Sequence, residues 1–271
     1  MKINSRRYKL VLKKSFDKSF SYAGLSLIRS IHEMGKLVLF CRDFFYTLAS
    51  NNLRFHLVSR QLEFVGNKSF LIVFLASLFT GGVLGLQLGV IFKIFGAESL
   101  MGATTGKSLA LELAPVMCSF IVTGRAGAAM AAEIATMRVN EQIDAIEAMG
   151  VNPMNYLVVP RVIASILMTP LLTILFLGIG VIGSYIVGVI FYKIDSRVFT
   201  NQIKWLVLPL DIWKGFIKAI FFGFIFSIIA CYKGFYASGG AKGVGEATTR
   251  AVVLGLLTIL IVDFVITLMQ V

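Results

Sequence analysis

The side chains best placed to do chemistry in this chain are charges set inside uncharged, apolar runs. Glu112, Arg125 and Glu133 fall in one such stretch and Asp263 in another. An ionisable group inside a membrane-spanning helix costs on the order of 2.5–3.5 kcal/mol to insert, so it is normally paired or serves a pathway for substrate or ions. Arg125 and Glu133 are eight residues apart, which puts them on nearly one side of a helix but about two turns from each other, too far to pair. Asp263 is a candidate partner for Arg125 from another segment, and snorkelling to the interface is the alternative. Glu112 stands three residues before Pro115, near the end of its run, where water can solvate it. A structural tether accounts for Arg125, Glu133 and Asp263 as well as a substrate contact does.

A second group is acidic and lies between apolar runs. The segment Arg138-Val-Asn-Glu141-Gln142-Ile-Asp144-Ala-Ile-Glu147-Ala-Met149-Gly150-Val-Asn-Pro153 predicts a short helix over about 139–150, stopped by Gly150 and Pro153. Glu141, Asp144 and Glu147 recur every three residues and give it an acidic side, with Ile143, Ile146 and Met149 on another. Such a helix suits docking to a soluble partner; a solvated loop helix is the plain alternative.

Other chemistries fall away. Gly102-Ala-Thr-Thr-Gly106-Lys107-Ser108 has three residues between its glycines where a phosphate-binding loop needs four, and no strand precedes it. Gly178-x-Gly180-x-x-Gly183 fits a dinucleotide fingerprint formally but lies within an apolar span. The only histidines, His32 and His56, and the three cysteines, Cys41, Cys118 and Cys231, build no triad, disulfide framework or zinc site. The sequence therefore predicts no catalytic residue, metal ligand or cofactor in this chain.

The elements that must hold these charges are membrane helices. At 57% hydrophobic and 15% charged over 271 residues, with a mean hydropathy of +0.84, the chain is too apolar for a water-soluble domain. Five runs are long enough to span, over about 69–95, 108–135, 162–192, 213–235 and 246–271. The third is long enough that it must tilt, kink near Pro170 or project into water. Small residues four apart (Gly81, Gly85, Gly89; Gly124, Ala128, Ala132; Gly180, Ser184, Gly188) predict close helix packing. Residues 1–68 hold 13 Lys and Arg against four acids, a balance of +9 in a net +12. That excess predicts a cytoplasmic N-terminus and, after five spans, a C-terminus outside, and it is explained by the membrane without nucleic acid. Leu27, Ile31, Met34, Val38, Cys41, Phe45 and Leu48 share one helical stripe, read as an amphipathic helix in the interface within a basic region 1–66 that precedes a membrane domain 67–271. The expected class is an all-α integral membrane protein: an interfacial helix, five transmembrane helices and one short cytoplasmic helix.

The stretch Thr123-Gly-Arg125-Ala-Gly127-Ala-Ala-Met-Ala-Ala-Glu133-Ile-Ala-Thr-Met137, continuing through Glu141 to Pro153 and then Tyr156-Leu-Val-Val-Pro160-Arg161, resembles the signature of the MlaE (YrbE-type) permeases. Gly85-Leu86-Gln87, Glu112-Leu-Ala-Pro115, Ala247-Thr-Thr-Arg250 and Asp263-Phe-Val extend the resemblance over roughly residues 60–271. It implies the membrane subunit of an ABC system that works with MCE proteins and moves phospholipids or related hydrophobic lipids between membranes. It further implies a homodimer, a cytoplasmic ATPase subunit carrying ATP and Mg and docked on a coupling helix (Glu141, Gln142, Asp144, Glu147), and a periplasmic MCE-domain protein. A small STAS-type regulatory subunit is a further accessory. A lipid cavity at the dimer centre would carry over to Leu84, Ile91, Phe92 and Phe95. The implied location is the bacterial inner membrane, with an organellar membrane of bacterial ancestry as the alternative. One departure stands out: relatives often carry arginine where this chain has Leu111, which removes a headgroup contact at that position. Two rival readings are an ion-coupled secondary transporter using Glu112 and Asp263, and a non-transporting membrane scaffold.

Overall fold

A computed structural model of the chain describes residues 32–50 and 54–270, and every regular element among them is helical. Contacts divide the chain into Met1–Tyr46 and Thr47–Val271, so helix α1 (32–50) is described by itself. Along α1, Met34, Val38 and Phe45 of the predicted stripe are exposed, while Phe40 and Phe44 are buried. Leu27 and Ile31 of that stripe lie outside the described residues, as does the basic segment before them.

Five rods, α2 (Phe55–Ile94), α3 (Glu98–Val139), α5 (Met154–Ile190), α7 (Pro209–Phe235) and α8 (Gly240–Gln270), are each long and apolar enough to cross a bilayer. The all-α membrane class expected from the sequence is borne out. Two short helices join the rods: α4 (Gln142–Ala148) between α3 and α5, and α6 (Ser196–Leu206) between α5 and α7. One end of the bundle thus carries α4 and the start of α2; the other carries α6 and the end of α8. The rods outrun the uncharged stretches because backbone hydrogen bonding continues past the last apolar residue. At 40 residues, α2 is roughly 60 Å long, about twice the hydrocarbon thickness, and its first turns carry Arg60, Glu63 and Lys68.

Close packing rests on the small residues. A Cβ on Gly81 would sit 1.9 Å from the Gly180 carbonyl oxygen and one on Gly183 would sit 2.2 Å from that of Leu78, so α2 and α5 meet backbone to backbone. Tyr192 seals the α6 end of this seam, its hydroxyl donating to the Leu86 carbonyl at 3.0 Å. The most enclosed rod is α7, where Gly215 lies against the Ala110 carbonyl of α3 and Gly223 against the Ser165 carbonyl of α5. Of the expected small-residue stripe in α3, Gly124 meets nothing within 4 Å among the described residues, and it is Gly127 that packs on Phe226 of α7.

Two π turns interrupt α3, at Leu109–Leu113 and Thr123–Gly127. The first directly precedes Pro115, whose missing N–H removes a regular helical bond and favours a local change of winding. Each π turn carries a charge into the bundle, Glu112 on one and Arg125 on the other.

Candidate functional site

The connection between α3 and α5 places the acidic residues. α3 ends at Val139, and the chain turns through Glu141 in the left-handed region at φ 57° before α4 begins. Glu141 therefore caps the turn instead of lying on the predicted 139–150 helix. Gln142, Asp144 and Glu147 lie on α4 and are exposed, while Ile143 is buried and anchors it. Arg138, on the last turn of α3, pairs with Asp144 at 2.5 Å across this turn. The end of α4 is a Schellman motif: the Gly150 N–H donates to the Glu147 carbonyl and the Val151 N–H to that of Ile146, with Gly150 at φ +74°. Beside α4 runs a groove of about 520 Å³ lined by Arg54, Met137, Gln142, Ile146, Met149 and Tyr156. Met149 is exposed at its edge, and the Arg54 guanidinium stacks 5.5 Å from the Tyr156 ring. An exposed acidic helix edge beside an apolar groove is a surface that a partner can grip by both charge and packing.

The intramembrane charges form two clusters, neither of which is the expected Arg125–Asp263 pair. Lys218 of α7 is fully buried and its ammonium lies 2.6 Å from Glu112 Oε2 and 3.0 Å from Asp263 Oδ1. It also donates to Thr267 Oγ1 at 2.8 Å, and that hydroxyl reaches Glu112 Oε1 at 3.2 Å. One cation thus ties α3, α7 and α8 together, and Glu112 is an ion-pair partner as well as a partly exposed group. Toward the α4 end, Arg161 of α5 is buried, pairs with Glu133 at 3.0 Å and donates to its own helix at Leu157 O at 2.8 Å. Glu133 therefore joins α3 to α5. Arg125 meets no carboxylate among the described residues: Nη2 donates to the Phe64 carbonyl, and the guanidinium packs 4.8 Å from the Phe64 ring centroid.

Sequence reasoning missed Lys218, the centre of the first cluster. The signal was present, since it is a charge set between Phe216-Ile217 and Ala219-Ile220 within the fourth run. Of the four cavity residues carried over from the resemblance, Leu84 packs against the core, Phe92 is half-buried, and Ile91 and Phe95 are exposed near the α6 end of α2.

Comparison with known proteins agrees with this architecture. The permease MlaE family model matches residues 58–269. A probable ABC transporter permease protein of Rickettsia prowazekii is 43% identical over 247 residues, covering 90% of this chain and 94% of the relative. The intermembrane phospholipid transport system permease protein MlaE of Haemophilus influenzae is 39% identical over 217 residues, covering 79% and 82%. A chloroplastic relative in Arabidopsis thaliana, TRIGALACTOSYLDIACYLGLYCEROL 1, is 40% identical over 207 residues, covering 76% of this chain and 59% of its own. With its five rods, its α3–α4–α5 junction and a family match spanning nearly all of them, this chain belongs to the MlaE permease family.

Proposed function

We propose that the chain is the membrane subunit of an ATP-driven phospholipid transporter in the bacterial inner membrane, and that α4 is where force enters it. A cytoplasmic ATPase holding ATP and Mg grips Glu141, Gln142, Asp144 and Glu147, with Met149 filling a pocket on the partner. The observation that carries this reading is the rigid route leading away from α4. Asp144 is held by Arg138 of α3, and Glu133 of the same rod is held by Arg161 of α5. Further along, Glu112 of α3 is held by Lys218 of α7. A push on α4 therefore moves three rods together instead of bending a loop. Two copies of the chain, facing each other, would reshape an apolar space beside Leu84, Ile91, Phe92 and Phe95, with an MCE-domain protein receiving or delivering lipid on the far side and a STAS-type subunit as an accessory. The N-terminus and α4 lie on the cytoplasmic side in this reading, and the C-terminus outside. The ion-coupled alternative is disfavoured by Lys218, because both acids it would use share one buried ammonium.

The test is charge reversal on the exposed edge. Glu141→Lys with Glu147→Lys is expected to lose the ATPase subunit on co-purification, and with it nucleotide turnover in the complex. A double variant that keeps both the ATPase and its turnover overturns the assignment of α4.

A further inference from the structure

We propose that a pocket between the first turns of α2 and the facing ends of α3 and α5 binds the phosphate of an anionic phospholipid drawn from the leaflet at the α4 end. The cavity is about 550 Å³, within the range of small-molecule sites, and its lining includes Arg60, Phe64 and Lys68 of α2 with Tyr156, Pro160 and Arg161 of α5. It opens where charge gives way to hydrocarbon: Lys68 is the last charged residue before the uncharged run that starts at Ser69. Its lining mixes charged side chains with apolar ones such as Leu57, Met137 and Leu157, as an amphiphile requires.

The charges are unbalanced in a way that asks for an anion. Arg161 is matched by Glu133 at 3.0 Å. The Phe64 ring is flanked by two cations, Arg125 at 4.8 Å and Lys68 at 5.3 Å, and neither has a carboxylate partner among the described residues. Of the lining residues on α2, Arg60 and Lys68 stand against Glu63 alone, while Arg125 backs Phe64 from outside the lining. The Nε groups of Arg125 and Arg161 are both buried without an acceptor. A buried guanidinium donor left without an acceptor is costly, and a phosphate oxygen between Phe64 and α5 removes that cost with charge-assisted hydrogen bonds. Arginine is the side chain best shaped for such a contact, and the lysine beside it supplies a second, mobile charge. The site is independent of the transport reading, since it needs only that this end of the bundle meets a lipid–water boundary.

The test uses the full-length chain in phosphatidylcholine nanodiscs doped with phosphatidylglycerol carrying a photoreactive group next to its headgroup. Photolysis is expected to label peptides covering 57–68 and 156–161. Arg60→Gln with Lys68→Gln, both exposed positions where folding is not at stake, is expected to lower that label about tenfold, the loss of one charge-assisted bond or more. Millimolar inorganic phosphate is expected to leave it unchanged. Label spread evenly along the outer faces of the rods, or label indifferent to these substitutions, overturns the site. Suppression of the label by inorganic phosphate assigns the pocket to a soluble phosphate and overturns its assignment to lipid.

Discussion

At the residue scale, the energetic centre of the membrane region is Lys218. Removing it leaves Glu112 and Asp263 facing each other without a cation, and breaking such a buried pair costs about 3–5 kcal/mol when one partner is lost. Lys218→Met is therefore expected to lower the melting midpoint in detergent sharply, and Lys218→Met combined with Glu112→Gln and Asp263→Asn is expected to recover most of it; equal loss in both would show that the charges do not act as a unit. Glu141 offers a cleaner separation of fold from function. Its left-handed backbone costs an ordinary side chain about 1 kcal/mol or more, so Glu141→Gly relieves strain while removing a carboxylate. Thermal stability measured by scanning fluorimetry should rise or hold, while ATPase binding weakens; a fall in stability would contradict the strain. The sequence made Glu112, Arg125, Glu133 and Asp263 visible as charges out of place, yet which met which depends on the rotational phase of rods far apart in the chain. That phase is shifted by the π turns at Leu109–Leu113 and Thr123–Gly127, only the first of which has a mark in the sequence, Pro115.

At the scale of elements, the five rods were legible because hydrocarbon thickness dictates run length, and their full extents were not, because helices do not end where apolarity does. α6 falls in the gap between the third and fourth predicted runs, a stretch that carries Lys193, Arg197 and Lys204 and for which no helix was expected. In the structure Asp195 caps it, accepting from the Arg197 and Val198 N–H groups at 2.8 and 3.3 Å, and Phe199 plugs it into the bundle over Gly102 and Gly188. The α2–α5 seam makes a sharp contrast between glycines. Gly183→Leu has no room beside the Leu78 carbonyl and should abolish a folded, monodisperse product, whereas Gly178→Ala meets nothing within 4 Å and should be neutral or stabilising by up to about 1 kcal/mol. Similar melting curves for the two would refute backbone contact along the seam. The Arg138–Asp144 pair is exposed, so as a stabilising contact it contributes under about 1 kcal/mol. Its part in the proposed mechanism is to orient α4, and a charge swap, Arg138→Asp with Asp144→Arg, should restore the lipid transport that either single substitution impairs. A swap that transports no better than the single variants would remove the pair from the mechanism.

At the scale of the whole molecule, this chain has an exposed acidic helix at one end, charge-tied rods through the membrane, and a broad apolar exterior. α8 is barely enclosed, and Leu257, Ile261, Phe264 and Leu268 face outward along it. Such surface in a membrane rod is satisfied by acyl chains or by another subunit, consistent with the proposed dimer. The rods were readable from one sequence because they obey a solvent constraint; the partners were suggested by resemblance, because partner choice resides in surface detail such as the acidic edge of α4. The central claim, that nucleotide energy reaches lipid through α4, is tested most directly by fluorescent phospholipid transfer from proteoliposomes holding this chain, its ATPase and the outer partner. The account predicts transfer that requires ATP hydrolysis, survives collapse of ion gradients and is lost in Glu141→Lys/Glu147→Lys. Transfer abolished by an ionophore at constant ATP, or sustained hydrolysis with no lipid moved, would contradict it.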